Sequence, residues 1–219
     1  MARYRGVILD VDGTLVDSND AHANAWIAAM AEHGHKIPFQ AVRKLIGMGG
    51  DKLLPEAIGI EEDTPVGKAI AKRRGEIFLE EHLPNLFPTP GAEDLLAELK
   101  ARGFALVVAS SATAKDLEPL LRQCGADRYI HVKTSSDDAA NSKPDPDIVE
   151  AALATLGVSA KEAIMIGDTP YDVQAAKQAG VEIIALRCGG WNDGHFDGAL
   201  AVYDHPSHLL HNFARSPLG

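Results

Sequence analysis

The sequence predicts an α/β fold, a Rossmann-like three-layer core with a mainly parallel sheet and an inserted small α-helical cap domain. Short apolar runs recur along the chain with helical stretches between them, the pattern of a parallel sheet covered on both faces. This alternation is interrupted once, by about seventy residues of helical character, too many for a simple crossover. Three of the apolar runs also end in acidic or hydroxyl residues, at the strand ends where such sheets bind ligands.

The elements follow in order. GVILDV is the first strand, ending in Asp10 and Asp12. After the short join LVDS come HANAWIAAMAEHG, closed by Gly34, AVRKLIG, closed by Gly47, the short DKLLPEAIG, and the longer GKAIAKRRGEIFLEEH. The Pro- and Gly-containing PNLFPTPG returns the chain and suits a hinge. The boundaries expected from these joins are a core of residues 1–17 and 87–219 and a cap of residues 18–86. FALVVASS and YIHVKT are the next strands, and a helix is expected to start at Asp145 and Pro146. AIMIGD follows, then a helix capped by Thr169, opened by Pro170 and closed by Gly180. EIIALR is a fifth strand and ALAVYD a weaker sixth.

Composition limits the function classes. With 219 residues, 46% of them hydrophobic and 24% charged, the chain reads as a folded globular protein with a sizeable core. Its formal charge of -10 and the lack of a Lys/Arg cluster beyond Lys72, Arg73 and Arg74 disfavour a nucleic-acid backbone as partner. A negative protein that handles an anion must supply local positive charge or a metal. Cys124 and Cys188 lack the spacing of a zinc site and are expected to be reduced and mostly buried. No apolar run approaches the about 20 residues of a membrane span, and MARYRGVILD lacks the zones of a signal peptide. The expectation is a cytoplasmic protein, without nucleic-acid or membrane partners.

The chemistry concentrates at the strand ends. Asp10 and Asp12 are two residues apart, so on an extended strand they face the same way, and Gly13 and Thr14 let the chain turn at once. Paired carboxylates are costly unless a cation bridges them or one holds a proton. A hard divalent ion such as Mg2+ takes oxygen ligands, leaving one carboxylate to attack and its neighbour to move protons. Asp-Gly is also ordinary turn chemistry. Ser110 and Ser111 precede a helix, where a hydroxyl and free backbone N–H groups bind phosphate oxygens, although serines there also serve as plain caps. Pro144 restricts Lys143 to a fixed turn, where an ammonium would balance nearby carboxylates. Asp168 ends an apolar strand, and Asp172 lies where a capping-box acid would sit.

DVDGTLVDS resembles the first motif of the haloacid dehalogenase superfamily, in the branch that includes phosphoglycolate phosphatase and β-phosphoglucomutase. The resemblance extends over nearly the whole chain, through SSATAK, NSKPDPD and GDTPYD in order. It implies Asp10 as a nucleophile that becomes an aspartyl phosphate and Asp12 as general acid and base. It further implies Ser110, with Ser111 adjacent, as phosphate-binding hydroxyl, and Lys143 as the cation contacting nucleophile and phosphate. Mg2+ would be held by Asp10, by Asp12 through its backbone carbonyl, and by Asp168, with Asp172 in the outer shell. The second aspartate of the first motif favours phosphoryl transfer over carbon-halogen cleavage.

The helical insert resembles this family's cap, which restricts the substrate and excludes water. His22 and Trp26, at i and i+4, match a mutase-like H-x-x-x-W pattern; Trp26 is expected in the core, while His22 is a candidate for substrate contact. GMGGDKLL is the expected specificity loop, with Gly50, Asp51 and Lys52 near the cleft. The arginine of mutases is replaced by Gly50, which weakens a mutase reading. Lys52 is a cap lysine of the type that phosphonate-cleaving relatives use. Gly189 and Gly190 of CGGWNDG could pass near the site, and His195, His205, His208 and His211 are expected as surface histidines. The expected function is a Mg2+-dependent phosphatase acting on a small phosphorylated metabolite. The alternatives are a phosphomutase and a non-catalytic phospholigand-binding protein.

Overall fold

The computed structural model describes residues 3–135 and 138–219. The strands β1 (Gly6–Leu9), β2 (Ala105–Ala109), β3 (Lys133–Thr134), β4 (Ala163–Gly167), β5 (Glu182–Leu186) and β6 (Ala201–Tyr203) form one sheet in the order β3-β2-β1-β4-β5-β6. Every neighbouring pair is parallel, so all carboxyl ends lie along one edge. The chain proceeds from β1 to β2 on one side and later to β4 on the other. The reversal of strand order therefore falls at β1, where sheets of this kind open a ligand crevice.

Side-chain alternation along β1 explains the two covered faces. Ile8 packs with Val107, Met165 and Ile183 beneath Ile148, Val149 and Val173 of α7 (Asp147–Leu156) and α8 (Pro170–Gln178). Val7 and Leu9 pack with Leu106, Val108, Ile164 and Ile166 against Leu95, Leu99, Leu117 and Leu120 of α5 (Ala92–Ala101) and α6 (Ala114–Gln123). Fully burying such a side chain contributes about 1.5–3 kcal/mol, which fixes the strand ends that carry the site. The C-terminal α9 (Pro206–His211) adds Leu209 to this second face.

The insert contains α1 (Asn19–Glu32), α2 (Phe39–Arg43), α3 (Gly50–Ile58) and α4 (Pro65–Ile77). Thr64 caps α4 by accepting from the Gly67 amide at 3.1 Å, and α4 runs on into a π-helical turn at Phe78–His82. Trp26, Met30, Leu53, Ile70 and Phe78 form its interior, continuous with the second face of the sheet. Entry and return lie side by side: Asp17 N donates to Phe87 O and Thr89 N to Leu15 O, both at 3.0 Å, and Thr89 Oγ1 donates to Thr14 O at 2.6 Å.

Three boundaries differ from expectation. Of YIHVKT only Lys133 and Thr134 pair, because this is a sheet edge with His131 and Val132 exposed. The helix expected through AVRKLIG ends at Arg43, and Leu45 and Ile46 turn inward as buried residues. Pro146 is a cap and α7 begins at Asp147. Among the described residues no helix is long and apolar enough to cross a membrane.

Candidate active site

β1 delivers its first acid through the ladder itself. Asp10 N donates to Ile166 O at 2.9 Å, so strand pairing continues one residue beyond Leu9 and fixes Asp10 at the sheet edge. The Thr14, Leu15 and Val16 amides then fold back onto Val11 O at 3.2, 2.8 and 3.0 Å. Gly13 makes that turn at φ +83°, and a Cβ there would overlap the Asp168 carboxylate.

Lys143 is 1% exposed, and its Nζ lies 2.6 Å from Asp10 Oδ1 and 2.7 Å from Asp172 Oδ1. Asp172 joins two tasks: its Oδ2 accepts from Thr169 N at 3.0 Å and Thr169 Oγ1 at 2.7 Å, completing the capping box of α8. Its other oxygen faces the lysine. Asp168, fully buried, accepts from Thr14 Oγ1 and from Asn19 Nδ2, each at 2.8 Å.

Ligand oxygens of Asp10, Asp168 and Asp172 lie within 4.8 Å of one another. One ammonium pairs with two of these three buried carboxylates, and the surplus negative charge shows in the titration of Asp10 and Asp168. Burial raises Asp10 to about 7, with Lys143 opposing and Asp172 and Asp12 reinforcing the shift. Burial, then the Asp10 and Asp172 charges, holds Asp168 well above the usual carboxylate range. Burial alone would lower Lys143, but the Asp10 and Asp172 carboxylates outweigh it and raise its pKa, keeping it charged. Hard oxygen donors with uncompensated charge suit a divalent cation such as Mg2+.

Asp12 is held differently. Its Oδ1 accepts from Ser18 Oγ at 2.6 Å and lies 2.7 Å from His22 Nε2. Burial pushes its pKa up, but His22 and Ser18 pull harder, and the net shift is downward. The His22 ring is itself stacked on Phe78, centroids 3.9 Å apart. The two aspartates of the first motif therefore differ in protonation tendency, Asp10 holding a proton more readily than Asp12.

Asp10, Asp12, His22, Trp26, Gly50 and Ser111 line one cavity beneath the insert. Ser110 is buried beside it, its Oγ accepting from the Ala112 amide at 3.0 Å. Ser111 is the serine whose side chain reaches the wall. The capping serine or threonine of α6 is Thr113, which accepts from Asp116 N at 3.3 Å, so neither serine is a plain cap. Lys52 is turned away from this cavity: it pairs with Asp145 at 2.7 Å and is one-third exposed. Asp51 bonds Ser142, whose Oγ also accepts from Gly49 N at 3.0 Å. The insert loop is thus tied to the segment that carries Lys143.

Gly189 comes against Asp168, since a Cβ there would overlap its carboxylate. Cys124 and Cys188 are free thiols, buried and half-buried; burial, then Asp168, raises Cys188. His205 and His208 sit with Asp204 at the surface, away from the carboxylates. Thr14, Ser18 and Asn19, which orient the acids, escaped the sequence reading because each is an ordinary turn or cap residue. Arg74, also in the cavity wall, was read with its neighbours as a charge cluster. Its signal was its register: with Ile70 and Ile77 it lies at i+4 and i+7 on the buried face of α4.

The family model for haloacid dehalogenase-like hydrolases matches residues 7–186. The chain belongs to that family. It is 33% identical over 209 residues to a phosphoglycolate phosphatase of Rhodospirillum rubrum, covering 91% of this chain and 87% of that protein. A phosphoglycolate phosphatase of Yersinia pestis is 34% identical over 217 residues, 96% of this chain and 90% of the relative. A hydrolase from Pseudomonas syringae has the same fold, with a TM-score of 0.90 at 27% identity and coverage of 97% and 98% of the two chains. Membership and these relatives together support a phosphatase of the haloacid dehalogenase type.

Proposed function

We propose that the chain is a Mg2+-dependent phosphatase of the phosphoglycolate phosphatase kind, hydrolysing a small phosphomonoester through an aspartyl phosphate on Asp10. The observation that carries this reading is the buried Lys143 ammonium, 2.6 Å from Asp10 and 2.7 Å from Asp172. It leaves Asp10 oriented and adjacent to a fixed cation, as attack on a phosphate dianion requires.

In the first step an Asp10 oxygen bonds to phosphorus while the ester oxygen departs with a proton from Asp12. In the second, Asp12 takes a proton from water as that water attacks the aspartyl phosphate, regenerating Asp10 and releasing phosphate. Ser18 and His22 hold the Asp12 carboxyl in place, and Lys143, with the Ser110–Ser111 turn, would hold phosphoryl oxygens. Mg2+ held by Asp10, Asp168 and the Asp12 carbonyl, with Asp172 behind, would neutralise charge on the transferring group. The helices of residues 18–86 would act as the cap that excludes water, and the paired joins as its hinge.

A panel measuring phosphate release from phosphoglycolate, hexose phosphates, nucleotides and pyrophosphate, with and without Mg2+, tests this reading. Metal-dependent release from a small monoester is expected. Isomerisation of a sugar phosphate without free phosphate would favour the mutase, and ligand binding without turnover the non-catalytic alternative. At Gly50, where a mutase arginine would stand, a Cβ would lie 2.6 Å from the Glu62 carboxylate.

A further inference from the structure

The cavity over Asp10 and Asp12 has a cationic wall that this mechanism leaves unused. Among the described residues lining it, Arg74 is the sole arginine or lysine. It projects from the buried face of α4, between Ile70 and Ile77, and its side chain is only 13% exposed. The guanidinium lies over the Trp26 ring, 5.0 Å from the centroid, within cation–π range.

Its hydrogen bonding is incomplete. The nearest carboxylate is Asp116, with Nη1 and Oδ2 at the long separation of 3.5 Å. Arg74 Nε is buried and has no hydrogen-bond partner. An unmade bond on a buried cation is costly, and a planar fork with a free donor is suited to a carboxylate or another planar oxyanion. The phosphoryl group has its own partners in Asp10 and Lys143 at the sheet edge. Apart from the protein's own carboxylates, an anion brought to Arg74 by a substrate would therefore belong to the leaving group. The cavity encloses about 40 Å³, room on the order of three water-sized groups, so that leaving group is short.

We propose that Arg74 is a specificity-determining residue that binds a carboxylate on the leaving-group side of a short phosphomonoester. This rests on the phosphatase reading above and adds to it the feature of the substrate that the cap recognises. The arginine that the resemblance places in the mutases' loop is replaced here by Gly50, and α4 presents Arg74 to the cavity instead.

The test compares phosphoglycolate with ethyl phosphate, which has the same carbon count and a methyl group in place of the carboxylate. Steady-state kinetics use the full chain with Mg2+. The native protein is expected to prefer phosphoglycolate in kcat/KM by roughly ten- to hundredfold, the worth of a charged hydrogen bond. Arg74→Gln should bring the ratio close to one, mainly through KM for phosphoglycolate, and Arg74→Lys should restore part of it. An unchanged ratio in Arg74→Gln, or equal losses on both esters, would overturn the proposal. Calorimetric binding of the same two esters to Asp10→Asn, with and without Arg74→Gln, separates the two readings. An Arg74-dependent preference in binding without turnover in the native protein upholds Arg74 and rejects the phosphatase. Turnover with no preference in binding does the reverse.

Discussion

His22 Nε2 lies 2.7 Å from Asp12 Oδ1, so a residue of the helical insert holds a carboxyl group of the sheet edge. That contact, with the Ser18 hydroxyl, draws Asp12 below its ordinary pKa despite burial. His22→Gln should therefore raise the pKa of Asp12. The limb of the kcat/KM profile for phosphate release that Asp12 sets should move to higher pH, and kcat should fall roughly ten- to hundredfold as the carboxyl loses its orientation. A profile that keeps its limbs in place would show that His22 only packs on Phe78.

With the proposed metal site, titration and metal binding would be linked at Asp10. Its pKa is about 7 in the fold against 3.8 free, so the folded state binds more protons than the unfolded chain across that window. Metal-free stability contributed by this group is present below about 4 and is lost as pH rises to about 7. A cation must displace the same proton, so Mg2+ should raise the melting temperature more at pH 7.5 than at pH 5.5. Thermal melts at the two pH values with and without Mg2+ read this directly; an equal or reversed increment would contradict it.

Lys143 is the charge that makes the carboxylate cluster tolerable. Lys143→Met should destabilise the metal-free protein by about 3–5 kcal/mol near pH 8, the usual consequence of leaving buried charges unpaired. At pH 5.5 the loss should be smaller, because Asp10 and Asp168, both shifted upward, can take up protons instead. Urea unfolding at both pH values checks the difference, and a loss independent of pH would argue against charge compensation.

Gly189 leaves space for the Asp168 carboxylate. Gly189→Ala should displace both that carboxylate and the Asp168 carbonyl, 2.6 Å from the added Cβ. Magnesium affinity, followed by the concentration giving half-maximal activity, should weaken roughly ten- to hundredfold. Unchanged metal affinity would place the cation away from Asp168.

The strand ends were legible in the sequence because each apolar run stops at a polar residue whose type has few structural uses there. Asp10 and Asp168 stood out on that ground, Lys143 because Pro144 fixes its turn where the expected carboxylates need a cation, and parallel pairing in register brings the strand-end acids to one edge. Asp172 was ambiguous for a physical reason: one oxygen caps α8 and the other pairs with Lys143, so both uses are present. The orientation of Lys52 toward Asp145 depends on how the insert meets the segment after β3, a long-range contact without a local signature. Arg74 was hidden by its neighbours, exposed Lys72 and half-buried Arg73, since a run of basic residues resembles a solvated face until its helical register is drawn.

The most direct test is to mix the protein with Mg2+ and its best substrate, quench in acid within a single turnover, and locate phosphoryl groups by peptide mass spectrometry. A phosphoryl adduct on Asp10, absent from Asp10→Asn along with turnover, is the expected result. Wild-type turnover by Asp10→Asn, or an adduct on another side chain, would contradict nucleophilic attack by Asp10.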